Sequence, residues 1–399
     1  MSHPWPMKSL DEIFEIARGG SPRPIDAFYT DADNGVNWIM IGDTKDGSKY
    51  IDKTKKKIDP AGISKSREVS PGDFLLTNSM SFGRPYIMRT SGCIHDGWLV
   101  LSPKNGKANT DYFYHLLGSN VVYAEFSRLA AGATVKNLNI DLVKSVKVPL
   151  PPPEEQRRIA AILDAADALR QKRRQALRLL EQLSQAIFIE MFGDPVTNPK
   201  GWDDTKTLGE CADIASGVTK GRNLNGKVSR EVPYLAVYNV QDKSLKLDHV
   251  KTIEATGDEI ERYRLRSDDL LLTEGGDPDK LGRGTLWNDE LPECIHQNHV
   301  FRVRLHSKDI EPLYLNWLVG SQRGKSYFLR SAKQTTGIAS INMTQLRAFP
   351  LLIPPGNLQT EFKDRIRILH STVARTAAHA TSLEELFASF QHRAFRGEL

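Results

Sequence analysis

Three stretches of the chain carry residue types that could do chemistry. GSQRGKS, residues 320–326, has the glycines, lysine and serine of a phosphate-binding loop. Such a loop cradles phosphate oxygens in backbone N–H groups, follows a strand, and needs four residues between its glycines. Here three stand between them, after the helical pattern LYLNWLVG, so Gly324 is read as a helix C-cap. GGDPDKLGRG, residues 275–284, is rich in glycine but lacks the fingerprint of a dinucleotide site and reads as a loop. The tripeptide CIH occurs twice, placing His95 by Cys93 and His296 by Cys294. Thiolate and imidazole bind zinc, but a structural zinc wants four ligands, and two per copy leave it incomplete. A core cysteine with a hydrogen-bonded histidine is the alternative preferred here. No tetrapeptide like NPPY and no GxGxxG after a strand marks methyl transfer. The expectation is no catalytic residue and no metal.

What remains is charge. The chain has 399 residues, 54 Lys and Arg against 49 Asp and Glu, and a net charge of +5. That excess permits a nucleic-acid partner without demanding one. The cations cluster in KDGSKYIDKTKKK (45–57), RQKRRQALR (170–178) and GVTKGRN (217–223). Each cluster could equally be a solvated face. Three cysteines form neither a disulfide framework nor a zinc spacing, no run of apolar residues is long enough to span a membrane, and the first residues lack a signal pattern. A cytoplasmic protein is expected.

The elements that must position these residues come in two copies. EIARGG (15–20) resembles DIASGV (213–218), PGDFLLT (71–77) resembles SDDLLLT (267–273), and CIH recurs. YFYHLLGS (112–119) resembles YLNWLVGS (314–321), and AAGATVKNLN (130–139) resembles TTGIASINMT (335–344). Pro151, Pro152 and Gln156 then match Pro354, Pro355 and Gln359. The matches stay in order at an offset of about two hundred residues, as duplication with loop insertions would leave them. Each copy opens with short β-rich runs such as VNWIMIG, DFLLT and HVFRVRL among Gly, Pro, Asn and Asp turns, which argues α+β.

Each copy closes with a long helix. Proline cannot sit inside a helix but can precede one, so the proline runs mark the entries. Small or apolar residues follow at 159, 162, 166, 169, 176, 180, 183 and 187, with Arg173 in the gap. In the second copy Phe362, Ile366, Leu369, Val373, Ala380, Leu383, Phe387 and Phe390 do the same, with Thr376 in the gap. Steps of three and four over five heptads make a coiled-coil seam. The seam residues are Ile159, Ile162, Leu169, Leu180, Leu183 and Ile187 on one helix, and Phe362, Ile366, Leu369, Val373, Leu383 and Phe387 on the other. The helices are predicted from about Glu154 to Phe192 and Leu358 to Phe395, each roughly 55 Å long. Gly193 caps the first and Pro195 stops it. With the globular α+β part of one copy, here called a reader, between them, the helices are expected to pack antiparallel, giving a pseudo-twofold repeat; the other packing lays each helix on its own reader. Two readers on a stiff spacer suit a bipartite target such as duplex DNA, read in two grooves. A scaffold with two peptide-binding domains is the alternative.

PLPPPEEQRRIAAILDAADAL, then IFIEMFGDPVTNPKGW, then the closing AFRGEL, resemble the specificity subunit of type I restriction-modification systems over essentially the whole chain. The resemblance implies a chain that is not an enzyme. It implies target recognition domains at 1–148 and 193–350, a central conserved helix at 149–192 and a C-terminal one at 351–399. It implies double-stranded DNA, two methyltransferase subunits and two restriction/translocase subunits as partners, with S-adenosylmethionine, ATP and Mg2+ bound by those subunits and none by this chain. GNLQ (356–359) in place of PEEQ (153–156) departs from the pattern. Phosphates attract Lys and Arg, and base edges need donors and acceptors on loops. The DNA candidates are Lys45, Lys49, Lys55, Lys56, Asn78, Ser81 and Arg84 in the first copy. In the second they are Lys220, Arg222, Asn223, Asn239, Arg283, Lys333 and Gln334. Arg84 and Arg283 occupy matching places, where a structural arginine on a turn is the other reading.

Overall fold

A computed structural model describes residues 4–45, 47–79, 82–131, 138–224, 226–276, 281–335 and 338–399. The chain forms two compact units, Met1–Ala176 with Thr376–Leu399, and Leu177–Arg375. Each long helix contributes one part to each unit.

In the first unit a five-stranded sheet runs in the order Phe14–Arg18, Trp98–Pro103, Phe74–Thr77, Pro85–Met88, Tyr50–Ile51. FLLT at 74–77 is buried at every residue because both faces of this sheet are covered. Phe74 and Leu76 face a core shared with the helices Thr110–Leu117, Asn120–Ala131 and Ile140–Ser145. Leu75, Val100 and Trp98 face a second cluster with Ile39, Ile51 and Val69. A four-stranded sheet, Lys56–Ile58, Val36–Ile39, Gly92–Ile94, Arg67–Val69, lies alongside, with Trp38 paired parallel to Cys93.

The second unit repeats the plan. Its main sheet runs Ala212–Ser216, Val300–Leu305, Leu270–Thr273, Gly284–Leu286, and Tyr234 pairs parallel to Ile295 in a sheet of three. Small details repeat with it. Leu10 N–H donates to the Val146 carbonyl and Leu208 N–H to that of Phe349. The Tyr112 hydroxyl donates to the Pro149 carbonyl and that of Tyr314 to Leu352. Gly19 and Gly217 explain the shared glycine: a Cβ there would stand 2.2 Å from the His95 carbonyl oxygen and 1.9 Å from that of His296. The second unit also contains a hairpin, Val240–Gln241 with Ser244–Leu245, and a three-stranded sheet built on Gly275–Gly276, Lys333–Thr335 and Ile338–Ser340.

The helices run Pro153–Phe192 and Gly356–Arg396. The first ends where Gly193 takes φ 78° and donates its N–H to Ile189. In the first unit they pair in opposite directions: Arg158 reaches the Leu399 carbonyl at 2.9 Å, and Arg170 and Arg174 reach Glu384 at 2.9 and 2.7 Å. In the second unit Phe188 and Phe192 flank Phe362, with ring centroids 5.6 and 5.2 Å away.

Along the seam of the C-terminal helix Phe362, Ile366, Leu369 and Phe387 are buried, and Val373 and Leu383 half-buried. That of the central helix needs correction. Ile159 is buried and Ile162, Leu180 and Ile187 half-buried, but Leu169 and Leu183 are 56% and 44% exposed. Their successors, Arg170 and Ser184, turn inward instead, as do Leu163 and Leu177. Alternate seam positions thus lie one residue later, a rotation of about 100°. Gly324 is not a C-cap. It lies inside the helix Gln322–Ser331, where a Cβ would stand 1.8 Å from the Val319 carbonyl oxygen of the preceding helix.

Candidate nucleic-acid interface

The joint between reader and helix is the same in both units. Gln156 is buried, accepts the Asn109 N–H at 2.8 Å, and donates to the Lys107 and Pro151 carbonyls at 3.0 and 2.8 Å. Gln359 accepts the Glu311 N–H at 2.8 Å and donates to Asp309 and Pro354 at 2.9 and 2.7 Å. One amide thus ties the proline turn, the helix entry and the N-cap residue of a reader helix together, with all its buried polar atoms satisfied. Glu154 is exposed, and Glu155 pairs with Arg158 at 2.7 Å, so the acidic pair missing from the second copy takes no part in the joint.

Among the candidates of the first reader, Lys45, Lys55, Lys56 and Arg84 are exposed. The Lys55 Nζ hydrogen-bonds the Gly42 carbonyl at 3.3 Å, Lys56 lies 3.8 Å from the centre of the Tyr29 ring, and Arg84 5.3 Å from that of Tyr123. Lys49 is corrected: it is 7% exposed, with its ammonium 2.6 Å from Asp111 and 2.7 Å from Asp164. Burial alone would lower its pKa; the two carboxylates overcome that and raise it. His115 Nε2 lies 2.7 Å from the same Asp164. Asn78 is corrected too, being 4% exposed with its amide on the Asp96 carbonyl. Ser81 lies outside the described residues.

In the second reader Lys220 and Asn223 are exposed. Asn239 is 2% exposed, and its side chain closes a turn by accepting from Ala236 N–H and donating to Lys246 and His249, so it is not a base reader. Arg222 grips Glu259 with two nitrogens at 2.5 and 2.8 Å, and this guanidinium holds the carboxyl down at about 2. That arginine organises a loop and does not offer a free cation. Arg283 is half-buried and donates to Gln241 at 3.2 Å. It does match Arg84: the carbonyls of the two accept from the N–H groups of Thr273 and Thr77. Lys333 and Gln334 lie on a strand opposite Ser340 and Ala339; the described structure does not extend to their side chains.

Sequence reasoning missed two cations, Arg18 and Arg23, which flank Asp96 at 3.9 and 3.7 Å with their own side chains more than half exposed. The signal was RGGSPRP at 18–24, a glycine- and proline-punctuated loop at the first repeat match. Cys93 and Cys294 are buried, and His296 Nδ1 hydrogen-bonds the Val300 carbonyl at 2.7 Å. No cluster able to hold a metal occurs among the described residues.

Two readers of one fold, each tied by an identical glutamine joint to a shared helix pair, can be compared with known proteins. The profile of the type I restriction modification DNA specificity domain matches residues 2–179 and again 199–386. The chain belongs to this family. It is a DNA specificity subunit, not a catalytic one. It is 23% identical to the StySPI specificity subunit of Salmonella potsdam, across 99% of this chain and 89% of that one. The EcoKI specificity subunit of Escherichia coli strain K12 gives the same identity and coverage. Two solved structures share the fold. A chain from a study of assembly and conformational transition in a type I restriction-modification system has TM-score 0.61, 16% identity and full coverage of both chains. The type I specificity subunit of M. genitalium has TM-score 0.56 and 14% identity, across 99% of this chain and 96% of that one.

Proposed function

We propose that this specificity subunit reads a bipartite, asymmetric DNA target, one half-site per reader, and scaffolds two methyltransferase and two restriction/translocase subunits. The observation that carries this reading is the duplicated joint, Gln156 and Gln359, which ends two readers of one topology in the same way. The reader sequences differ greatly outside the matched stretches, which supports two different half-sites. We take 1–148 and 193–350 as the recognition domains and 149–192 and 351–399 as the segments between them and the partners. Lys45, Lys55, Lys56, Arg84, Lys220 and Asn223 are the DNA contacts, with Arg18 and Arg23 added. Ser81, Lys333 and Gln334 remain in the set on the sequence argument. Leu169 and Leu183, exposed on the central helix, offer apolar surface to a methyltransferase subunit. S-adenosylmethionine, ATP and Mg2+ belong to those partners. No described helix is long and apolar enough to cross a membrane, and the complex would work in the cytoplasm, where its DNA is.

The test is methylome sequencing of cells that co-express the chain with its methyltransferase partner. The expected result is adenine methylation at one motif with two unlike halves and a non-specific gap. An undivided motif, or none, would refute the reading. Binding to target duplex should also fall steeply with salt, whereas a peptide-binding scaffold would be indifferent to it.

A further inference from the structure

The first reader carries an open, shallow cavity of about 760 Å³ between segments 21–26, 38–42 and the turn His95–Asp96. Its walls are mostly apolar, from Pro22, Ile25 and Met40, with the Tyr29 ring beside them. Ser21, Arg23, the exposed Asp26, His95 and Asp96 interrupt them, and two of these can read a base edge. Asp96 is held by the Ser21 hydroxyl at 2.9 Å. His95 accepts the Gly97 N–H on Nδ1 at 2.9 Å, which leaves the Nε2–H as the donor of its neutral ring. Burial favours that neutral form by lowering the imidazole pKa.

The rim is cationic. Lys56 stands 3.8 Å from the centre of the Tyr29 ring, Lys55 hydrogen-bonds Gly42 at the cavity edge, and Arg23 projects with its side chain 83% exposed. Arg18 lies behind Asp96, so that carboxylate is offset by two guanidinium groups. At the matching place of the second reader His296 is fully buried, and Tyr263 packs edge-on against it at 6.0 Å.

We propose that this cavity receives one unstacked nucleobase of the bound duplex, with the neighbouring phosphates on the Lys55, Lys56 and Arg23 rim. The proposal rests on the DNA-reading function above. Phosphate contact alone needs cations and no concavity. A small apolar ligand needs the concavity and no cations. A nucleotide needs both: a flat π-face against apolar and aromatic walls, and donor and acceptor atoms on its edge. The volume lies in the range of about 300–1,000 Å³ usual for small-molecule sites. A base taken from the stack would be read by His95 and Asp96 along its Watson–Crick edge.

The experiment uses the chain assembled with its methyltransferase partner and duplexes bearing 2-aminopurine at each motif position in turn. One position, distinct from the methylated adenines, should change its fluorescence on binding. Met40→Trp, which fills the cavity, should abolish that change and weaken binding roughly tenfold, the loss expected for one stacked base. Met40→Leu should preserve both. Tyr29→Ala, which removes a wall instead, should also lose the signal, so a folding defect in one variant does not decide the outcome. The idea is overturned if duplex binding is intact and no such position responds, or if the response survives Met40→Trp and Tyr29→Ala. Absence of salt-dependent binding by the wild-type complex, seen by filter binding of the same duplexes, would overturn the DNA-reading function along with it.

Discussion

The Lys49 ammonium, clasped by Asp111 and Asp164, shows what a lysine can do inside a basic run without meeting a phosphate. Lys49→Met would strand two carboxylates beside an apolar chain. Both keep about two-fifths of their exposure, so the cost should be about 2 kcal/mol, less than for a fully buried pair. The pH dependence follows from the directions of the shifts. Burial would raise the Asp164 pKa, but His115 and Lys49 outweigh it and lower the value from 3.8. A lowered carboxylate stabilises the fold above its unfolded value, and that stability is lost as pH falls through the folded value. Lys49, raised from 10.5, contributes below that value and loses its contribution as pH rises through the folded one. Thermal unfolding of wild type and Lys49→Met should therefore differ most between about pH 4 and pH 10 and converge in acid. A gap that persisted at pH 2 would mean the loss is packing and not charge. The sequence could not show this pairing, because Asp164 lies 115 residues away and presents itself only once the helix is docked.

Elements were more legible than side chains. The ends of both helices, the collinear repeats and the Gly193 cap follow from proline, glycine and spacing, which act locally. The frame of the central seam does not. Leucines at 169 and 183 fit a seam by type, and Arg170 and Ser184 do not, yet the polar pair turns inward. Arg170 is accommodated there because Glu384 and Asp167 neutralise it and the Phe387 ring lies 4.0 Å away. The frame has a direct test. Leu163→Ala should cost roughly 2–5 kcal/mol, since it empties a buried site, while Leu169→Ala should stay within about 0.5 kcal/mol. Urea unfolding of the two variants measures both, and equal costs would restore the earlier frame. The DNA candidates were hardest to place because exposure is decided by tertiary partners: Arg222 and Lys45 look alike in sequence, yet Arg222 is half-buried and held by the Glu259 carboxylate, whereas Lys45 is exposed.

At the scale of the molecule, the proposed reading makes the helices the spacer between half-sites. A heptad inserted at equivalent points of both would lengthen the pair by about 10.5 Å, or roughly three base pairs of duplex. Seven residues return a helix face to within about 20° of its start. Three base pairs turn the duplex by about 100°, so the lengthened pair meets its second groove out of phase. Twisting the DNA to compensate costs binding energy but leaves each reader and its contacts unchanged. The expected methylome is therefore the same two half-sites, separated by a gap about three base pairs longer and methylated more slowly. An unchanged gap would show that the readers, and not the helices, set the distance. Loss of one half-site would show that the readers depend on the helix length for their own folding. The identical glutamine joints argue against that last outcome, since each reader is fastened at the first turn of its helix, far from any insertion made near the middle.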